Sequence, residues 1–262
     1  MNKQIKSIKS FSEQHKLSIS KIHPLTKGDF ETYRIHEILR TSDLSGLSIL
    51  DVGCGTGRVT SHLISSNPSS IHCIDPSITE EDFEKNLNRD ITNFSGTLKF
   101  TRASALDFNS EKKFDLIFII GVLHHIPENI NALRNLSKSL SPSGKFVIWV
   151  YSKEIGHVNR AFLQLSRFIF PYLGFFRIPF TKLLRILMVL IGKFLSPSSE
   201  IRILVDKDKD ESILALYDQL NAGYAKYYSK QDVLNEARDA GLRVFSILPT
   251  GRKGWTITYG LN

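Results

Sequence analysis

Cysteine is scarce in this chain of 262 residues, which contains only two. Cys54 falls in a predicted turn and Cys73 in a predicted strand, a spacing that suits neither a zinc site nor a disulfide framework. Both are expected to be reduced thiols of a reducing compartment, and no metal site is predicted.

The chain also lacks a long apolar run free of charge. Its N-terminus carries Lys3, Lys6 and Lys9, but the apolar segment of a secretory signal does not follow. No uncharged stretch reaches the roughly 18 residues that a membrane span needs. The expected location is therefore the cytoplasm, and association with a membrane surface stays open.

Acidic residues are outnumbered, with 26 Asp and Glu against 34 Lys and Arg and a net charge of +8. This charge permits nucleic acid or an anionic membrane as a partner without requiring either. The composition is that of a globular protein, 42% hydrophobic and 23% charged. Its length suits one large domain, or one domain with an insert.

The most informative stretch is Leu47–Arg58, L-S-I-L-D-V-G-C-G-T-G-R. An apolar run that includes Asp51 predicts a strand, and a helix-compatible run follows the turn. Glycines stand at alternate positions of that turn: Gly53, Gly55 and Gly57. Strand, glycine turn and helix together predict a nucleotide-binding element. The dinucleotide pattern G-x-G-x-x-G is excluded, because Arg58 occupies the position of its last glycine.

The pattern D-x-G-x-G-x-G resembles the first motif of class I S-adenosylmethionine-dependent methyltransferases. S-adenosylmethionine carries an ammonium, a carboxylate and a sulfonium but no phosphate. The resemblance implies that Asp51 attracts the ammonium, directly or through water. It also implies that backbone N–H groups of Gly53, Cys54 and Gly55 take the carboxylate. Without the downstream features, the glycines would equally fit an ordinary strand–turn–helix corner.

A second acid follows the second predicted strand, Ile71–Ile74. Asp75 comes 24 residues after Asp51 and directly before Pro76. A carboxylate at a strand end can accept hydrogen bonds from two ribose hydroxyls. The alternative is that Asp75 is only a turn residue. Downstream, Ser77-x-x-Glu80 predicts a capping box for a helix through about Asn88.

The third predicted strand, Leu98–Thr101, leads to a departure from the family pattern. The family often has Gly-Asp-Ala here, and its acid bonds the adenine amino group. In this chain Ser104 stands at the position of the acid and Ala105 at that of the alanine. The Ser104 hydroxyl or the Ala105 backbone is then expected at the adenine edge. Asp107 replaces the acid only in another register, and Phe108 packs on the adenine or in the core.

The apolar run Phe114–Ile120 predicts a strand of a parallel sheet that is covered on both faces. It continues into G-V-L-H-H, which resembles the family's V-L-H-H segment at the end of its fourth strand. Ligands bind at such strand ends, so Gly121 and Val122 are predicted to contact the cofactor. His125 is predicted to act as general base or to orient the substrate, or else to hydrogen-bond loop backbone. A base is required only for acceptors that must lose a proton.

The rest of the chain completes the pattern. Helices are predicted from Ile130 to Leu140, over Ser212–Leu220 and over Lys230–Ala240, and a fifth strand over Lys145–Val150. Two further strands, Arg243–Leu248 and Trp255–Gly260, are joined by a short connection and are expected to be antiparallel.

The resemblance implies an α/β fold with a Rossmann-like, mostly parallel sheet of seven strands, an antiparallel last strand, helices on both faces and a helical insert. Residues 47–151 and 226–262 would form the cofactor-binding core. Residues 1–46 would place helices over the active site, and 152–225 would be the insert, a lid or substrate-binding cap. Four tyrosines are predicted on the substrate side, with core packing as the alternative for Tyr33 and for one of the last two: Tyr33, Tyr151, Tyr227 and Tyr228.

Residues 160–199 contain six basic residues, no acid and seven of the chain's 17 phenylalanines. Pro171 and Pro179 are expected to split this segment into shorter helices. Three interpretations stay open: a helical lid packed on the sheet, a surface for lipid or an anionic membrane, and, less favoured, a nucleic-acid surface.

The expected activity is in-line methyl transfer from S-adenosylmethionine to a small-molecule or lipid-like acceptor. A tRNA base methyltransferase is the enzymatic alternative. An inactive S-adenosylmethionine-binding partner protein is the alternative of another class, motivated by the missing acid at Ser104.

Overall fold

The computed structural model describes residues 3–16, 33–41, 43–91, 94–153, 166, 168–194, 209–250 and 254–262. Within them, the strands are β1 Ser48–Val52, β2 Ser70–Ile74, β3 Thr97–Thr101, β4 Phe114–Ile120, β5 Leu140–Tyr151, β6 Leu242–Thr250 and β7 Gly254–Leu261. They form one sheet in the order β3-β2-β1-β4-β5-β7-β6.

Strands β1 to β5 are parallel, whereas β7 runs antiparallel to both of its neighbours, β5 and β6. The predicted seven-stranded sheet with an antiparallel last strand is therefore confirmed. The order reverses at β1, because the chain crosses from the β3 edge back to β4 on the other side of β1. This reversal opens a crevice at the carboxyl ends of β1 and β4.

The helices are α1 Lys3–His15, α2 Ile35–Leu39, α3 Arg58–Ser65, α4 Glu80–Ile91, α5 Asn129–Ser137, α6 Arg177–Gly192, α7 Lys209–Asn221 and α8 Lys230–Ala240, with 3₁₀-helices at Leu123–His125 and Phe170–Phe176. Helices α5 and α8 contribute to the core on one face of the sheet. Helices α2, α3 and α4 contribute to the core on the other face. The predicted helices on both faces are thus present.

Strand β4 shows why the central sequence is continuously apolar. Phe114 and Ile119 belong to the core that α5 and α8 cover, while Leu116 and Phe118 belong to the opposite core. Both faces of the strand are therefore buried, and a polar residue on either face would lose its contact with water.

The predicted helix end at Leu140 is wrong. Helix α5 ends at Ser137, and β5 begins at Leu140. Leu140 pairs with Phe114, after which the register shifts before the next pair, Leu116 with Lys145. Pro142 lies in this irregular stretch, where its missing N–H removes no regular ladder hydrogen bond.

The predicted capping box at Ser77 and Glu80 is also wrong. Thr79 Oγ1 accepts a hydrogen bond from the Asp82 N–H at 3.2 Å and donates to the Asp82 carboxylate at 3.0 Å. Helix α4 starts at Glu80 and continues to Ile91, past the predicted end. Ser77 is directed away from the helix, toward Asp75.

The described helices of the insert are the second 3₁₀-helix, α6 and α7, and the first two pack on α7. A small core forms between them from Phe170, Leu216, Tyr217 and Leu220, with Leu184 and Met188 of α6 against it. Pro179 does not split the helix, because it lies in the first turn of α6, where no intrahelical N–H bond is lost. No helix among the described residues is long and apolar enough to cross a membrane. Of the basic and aromatic segment 160–199, residues 160–165, 167 and 195–199 lie outside the described residues.

The resemblance implied helices within residues 1–46, but the largely polar sequence of α1 did not itself indicate a helix there. It packs against α7, where Ser10 Oγ donates to the Asn221 carbonyl at 2.6 Å and Asn221 Nδ2 donates to the Ser10 carbonyl at 2.7 Å. Glu13 of α1 also forms an ion pair of 2.8 Å with Arg177, the first residue of α6. Helix α1 is therefore fixed to the insert by side-chain hydrogen bonds rather than by an apolar stripe.

Candidate functional site

The glycine turn between β1 and α3 is held by the neighbouring strand ends. Gly53, Gly55 and Gly57 have φ values of +71°, +51° and +86°, which only glycine adopts freely. The Gly53 N–H donates to the Ile74 carbonyl at 2.7 Å. A Cβ on Gly53 would lie 2.5 Å from Val122 Cγ2, so this position has no room for a side chain. The turn therefore joins the ends of β1, β2 and β4.

Asp51 is nearly inaccessible, with a relative exposure of 1%. Its Oδ2 accepts a hydrogen bond of 2.7 Å from Thr60 Oγ1. The pKa of Asp51 is raised to about 7. Burial is the largest cause, the hydrogen bond from the Thr60 hydroxyl opposes it, and the negative charge of Asp75 adds to it. A buried carboxylate of this kind favours a cation beside it, because a positive charge would offset the cost of its own desolvation.

Asp75 organises the turn from the end of β2. Its Oδ2 accepts from the Gly55 N–H at 3.0 Å, and its Oδ1 accepts from the N–H and the hydroxyl of Ser77 at 2.7 and 2.5 Å. The bonds to Ser77 are those of a turn residue, as in the alternative, and the bond to Gly55 also connects Asp75 to the glycine turn. Its predicted role toward a ribose stays a prediction.

Two residues near these acids, Cys54 and Pro76, were also predicted to contact the cofactor. The Cys54 side chain is buried beside Cys73, and burial raises the pKa of its thiol. Only the backbone of Cys54 can face a ligand at the turn. Pro76 is half-buried, and its carbonyl accepts a hydrogen bond of 3.3 Å from Arg102 Nε.

Ser104 has a polar partner that the sequence did not indicate. Its hydroxyl oxygen accepts from the Leu106 N–H at 3.0 Å and from Gln4 Nε2 of α1 at 3.3 Å. Ala105 is buried, and its carbonyl accepts from Asn135 Nδ2 at 3.2 Å. Asp107 is exposed, and Phe108 is buried against the rings of His72 and Phe114. Phe108 is therefore a core residue, as in the second of its two predicted roles.

Gly121 and Val122 form the other wall of the crevice. Gly121 has φ +78°, and a Cβ there would meet no atom within 4 Å, so the space beside it is open. Its N–H donates to the Trp149 carbonyl at 3.1 Å. Val122 fills the space above Gly53, as described above, and both residues are half-buried.

His125 is held by the loop before α8. Its Nδ1 lies 2.7 Å from the Tyr224 carbonyl oxygen, which can only accept, so Nδ1 carries the proton. In the neutral ring Nε2 is then the proton-accepting nitrogen. The predicted bond to loop backbone is present, and it fixes the tautomer that a general base needs. Catalysis by His125 stays a prediction.

Aromatic side chains gather at the carboxyl end of β5 and form what is called here the aromatic cluster: Tyr33, Trp149, Tyr151 and Tyr227. The rings of Tyr151 and Tyr227 are stacked, with centroids 5.6 Å apart and planes 24° apart. Trp149 lies 5.0 Å from Tyr33 and 5.3 Å from Tyr151. The His125 ring approaches Tyr151 edge-on at 6.1 Å. Of the predicted tyrosines, Tyr151 therefore lies beside the predicted base, Tyr227 stacks on Tyr151, and Tyr33 joins the cluster through Trp149.

The prediction of a substrate contact is wrong for Tyr228. Its side chain has a relative exposure of 0% and belongs to the core between the sheet, α5 and α8. Its hydroxyl donates to Glu236 Oε2 at 2.8 Å and accepts from Asn129 Nδ2 at 2.8 Å. Burial raises the pKa of both Tyr228 and Glu236. Tyr228 is a structural residue for that reason.

Four side chains of α1 that the sequence did not single out reach this edge of the sheet: Gln4, Ser7, Phe11 and His15. Ser7 Oγ donates to the His125 carbonyl at 3.3 Å, and the Phe11 ring lies 5.1 Å from the His125 ring. His15 Nε2 lies 3.1 Å from the position of a Cβ on Gly55. Their spacing of three and four residues places all four on one helix face, which is the only signal the sequence carried.

Comparison with known proteins agrees with this geometry. Residues 50–146 match the protein family described as "Methyltransferase domain". A tRNA U34 carboxymethyltransferase of Nautilia profundicola is 32% identical over 109 residues, 40% of this chain and 35% of that protein. The mitochondrial ubiquinone biosynthesis O-methyltransferase of Dictyostelium discoideum is 28% identical over 118 residues, 42% of this chain and 37% of that protein.

Among solved structures, the N-methyltransferase NodS of Bradyrhizobium japonicum WM9, in complex with S-adenosyl-L-homocysteine, is similar over 97% of both chains. The TM-score is 0.55 and the sequence identity 13%, so this likeness concerns the fold. The chain spans 35% and 37% of the two sequence relatives, only about a third of the length of each.

Proposed function

Since residues 50–146 of this chain form a class I S-adenosylmethionine-dependent methyltransferase domain, we propose that the protein transfers a methyl group from S-adenosylmethionine to a small, flat or lipid-like acceptor. The aromatic cluster beside His125 is the observation that carries the choice of acceptor. The glycine turn with Asp51 and Asp75 supports the choice of donor.

The residues present fit the donor. The buried Asp51 carboxylate is suited to a cation such as the donor's ammonium, and backbone N–H groups of the turn are suited to its carboxylate. Asp75 offers carboxylate oxygens at the end of β2 for ribose hydroxyls. The open space beside Gly121 gives room between these groups and His125. The donor supplies an electrophilic methyl group on a sulfonium.

The aromatic cluster supports a flat or apolar acceptor. Stacked and edge-on rings offer apolar faces at the spacing that aromatic pairs prefer. Tyr151 and Tyr227 are only half-buried, so part of each ring remains accessible. The relative from Dictyostelium discoideum acts, by its name, as an O-methyltransferase in ubiquinone biosynthesis.

His125 has a defined task in such a reaction. Its Nδ1–H donates to the Tyr224 carbonyl, and in that tautomer Nε2 is the nitrogen that would accept a proton from an acceptor hydroxyl or amine. Binding both reactants at the same strand ends provides the remaining acceleration by proximity and orientation.

Calorimetry with S-adenosylhomocysteine tests the donor site. We expect the wild type to bind it and Asp75→Asn to bind at least about tenfold more weakly, since an amide cannot accept all of the hydrogen bonds that Asp75 accepts. Asp107→Asn, an exposed acid after Ser104, is the matched control and should bind as the wild type does. A wild type without affinity would exclude the proposed function.

A screen of cell extracts with methyl-labelled donor tests the acceptor. We expect label in the organic-solvent extract, reduced by about a hundredfold or more in His125→Ala if the acceptor loses a proton. Donor binding with no labelled product in any fraction would favour the inactive partner protein instead.

A tRNA base is the second candidate acceptor, favoured by the relative named tRNA U34 carboxymethyltransferase. The aromatic cluster can also stack on a base that leaves its helix. Label in the RNA fraction, together with tRNA binding that weakens steeply with salt, would support it.

A further inference from the structure

Helix α6 is apolar on two faces, and α7 covers only one of them. The inner face includes Leu184 and Met188, which pack against the small core of Phe170, Leu216 and Tyr217. The side chains on the outer face form what is called here the outer ridge: Leu183, Ile186, Leu187, Leu190, Ile191 and Phe194. Their spacing of three and four residues aligns the first five on one side of the helix, and Phe194 follows in the turn after its end.

The outer ridge is exposed to an extent that is unusual for such residues. Relative exposure ranges from 47% at Leu187 to 90% at Phe194. The preceding 3₁₀-helix continues this character, with Tyr172 at 81% and Phe175 at 84%. Contiguous apolar surface of this kind marks an interaction site rather than ordinary surface scatter.

The charges beside the ridge select the partner. Residues 168–194 contain no acid, and their basic residues are Arg177, Lys182, Arg185 and Lys193. Arg177 pairs with Glu13, and Arg185 is bonded to Ser212. Lys182 and Lys193 are exposed, one at each end of the ridge and directly before Leu183 and Phe194. The surface is thus apolar along its length and positive at both ends.

We infer that the outer ridge docks on the surface of an anionic lipid bilayer, with α6 lying in the interface. Such a bilayer offers hydrocarbon for the ridge and anionic headgroups for Lys182 and Lys193. A second copy of this chain would bring the same lysines together across a two-fold axis. Nucleic acid would leave the aliphatic ridge in contact with phosphate or water. The net charge of +8 adds long-range attraction to the anionic surface.

The inference goes beyond methyl transfer and does not rest on it, because docking can be measured without donor or acceptor. The full chain is sedimented with sucrose-loaded vesicles of phosphatidylcholine alone, or with 30 mol% phosphatidylglycerol, a composition that tests the charge term. We expect binding to the anionic vesicles that exceeds binding to the neutral ones by about tenfold or more.

Two sets of variants separate the two contributions. Leu187→Ser with Leu190→Ser should reduce binding to anionic vesicles by about tenfold or more. Lys182→Glu with Lys193→Glu should remove the preference for anionic vesicles and leave weak binding to neutral ones. Leu234→Ser is the matched control, since Leu234 is an exposed leucine of α8, 39% accessible and outside the insert.

Tryptophan fluorescence tests directly whether the outer ridge enters the bilayer. Tryptophan fluorescence of Phe194→Trp should shift to the blue and be quenched by brominated lipids, above the signal from Trp149 and Trp255 in the wild type. This readout also serves if the double leucine variant does not fold. Three results would overturn the inference: no vesicle binding by the wild type, an equal loss in Leu234→Ser, or a wild-type dimer that the leucine variant converts to monomer without any lipid binding.

Discussion

His15 lies with its Nδ1 3.2 Å from the hydroxyl oxygen of Ser77. The single hydroxyl proton of Ser77 is directed to Asp75 Oδ1 at 2.5 Å, so the serine oxygen accepts and His15 Nδ1 donates. A chain of hydrogen bonds thus connects the N-terminal helix to the carboxylate that orders the glycine turn. His15 and Ser77, which are far apart in the sequence, therefore meet beside the proposed donor site.

Replacing Ser77 by alanine is expected to tighten binding of S-adenosylhomocysteine by about threefold. A carboxylate offers about four acceptor positions, and three on Asp75 are taken by Gly55 and Ser77. Two ribose hydroxyls must therefore compete with the serine hydroxyl. Calorimetry measures the change, with exposed Ser65→Ala as control. Weaker binding of the Ser77 variant would mean that the hydroxyl positions Asp75 instead.

The affinity for S-adenosylhomocysteine is expected to fall as the pH is lowered from 8 to 6. The pKa of Asp51 is about 7 in the free protein, so the carboxylate that we propose for the ligand's ammonium becomes protonated in this range. Binding near pH 7 should then release protons, because the cation favours the ionised form. Calorimetry in buffers of different ionisation heat measures that release. Asp51→Asn should bind weakly with no such release, and an unchanged release in the variant would contradict the assignment.

The same buried acid is expected to lower stability at alkaline pH. An unfolded aspartate has a pKa of about 3.9, so the native state holds the proton more tightly. Its contribution to stability is present at low pH and is lost as the pH rises from about 4 to about 7. Asp51→Asn should therefore raise the free energy of unfolding at pH 8 by up to about 4 kcal/mol. Urea unfolding at pH 8 and pH 4 checks this, and a similar gain at both pH values would exclude the mechanism.

Neighbouring tyrosines are expected to respond differently to loss of the hydroxyl or ring. Tyr228→Phe removes a buried donor from Glu236 and should cost about 1 to 3 kcal/mol of stability, with little effect on the KM of the acceptor. Tyr227→Ala removes a half-buried ring stacked on Tyr151 and should raise that KM with a smaller loss of stability. Thermal unfolding and steady-state kinetics distinguish the two. A change of KM in Tyr228→Phe alone would reverse the assignment.

Substituting Gly53 by alanine is expected to abolish measurable donor binding. The new Cβ would meet Val122 Cγ2 at 2.5 Å, in addition to the strain of φ +71°. Combining it with Val122→Ala removes the two contacts with Cγ atoms, but leaves Val122 Cβ at 3.1 Å and a backbone strain of about 1 to 2 kcal/mol. The double variant should therefore recover part of the binding. Val122→Ala alone is the control, and no recovery in the double variant would show that the backbone strain alone decides.

The local sequence predicted best a strand that is buried on both faces and a helix that ends before a glycine. The Phe114–Ile120 strand has the bounds that its apolar run indicated, because both faces are buried. Helix α8 has the predicted bounds, Lys230–Ala240, and Gly241 with φ +75° caps its end. The glycine turn and the acids Asp51 and Asp75 came together at one edge because parallel strands end there.

What the sequence did not reveal depends on contacts between distant segments. Gln4 meets Ser104 across 100 positions, and Ser10 meets Asn221 across 211. These contacts are polar, so no hydrophobic periodicity in the sequence indicates them. Tyr227 and Tyr228 are adjacent and chemically identical, and only the direction of the chain after Tyr224 decides which ring is buried.

Helix α1 touches Ser77 through His15 and the start of α6 through Glu13. Helix α1 therefore contacts both the proposed donor site and the insert. Thermodynamic linkage makes any coupling through this helix reciprocal. If binding to a lipid surface changes the protein's affinity for the donor by some factor, the donor must change the protein's affinity for the lipid surface by the same factor.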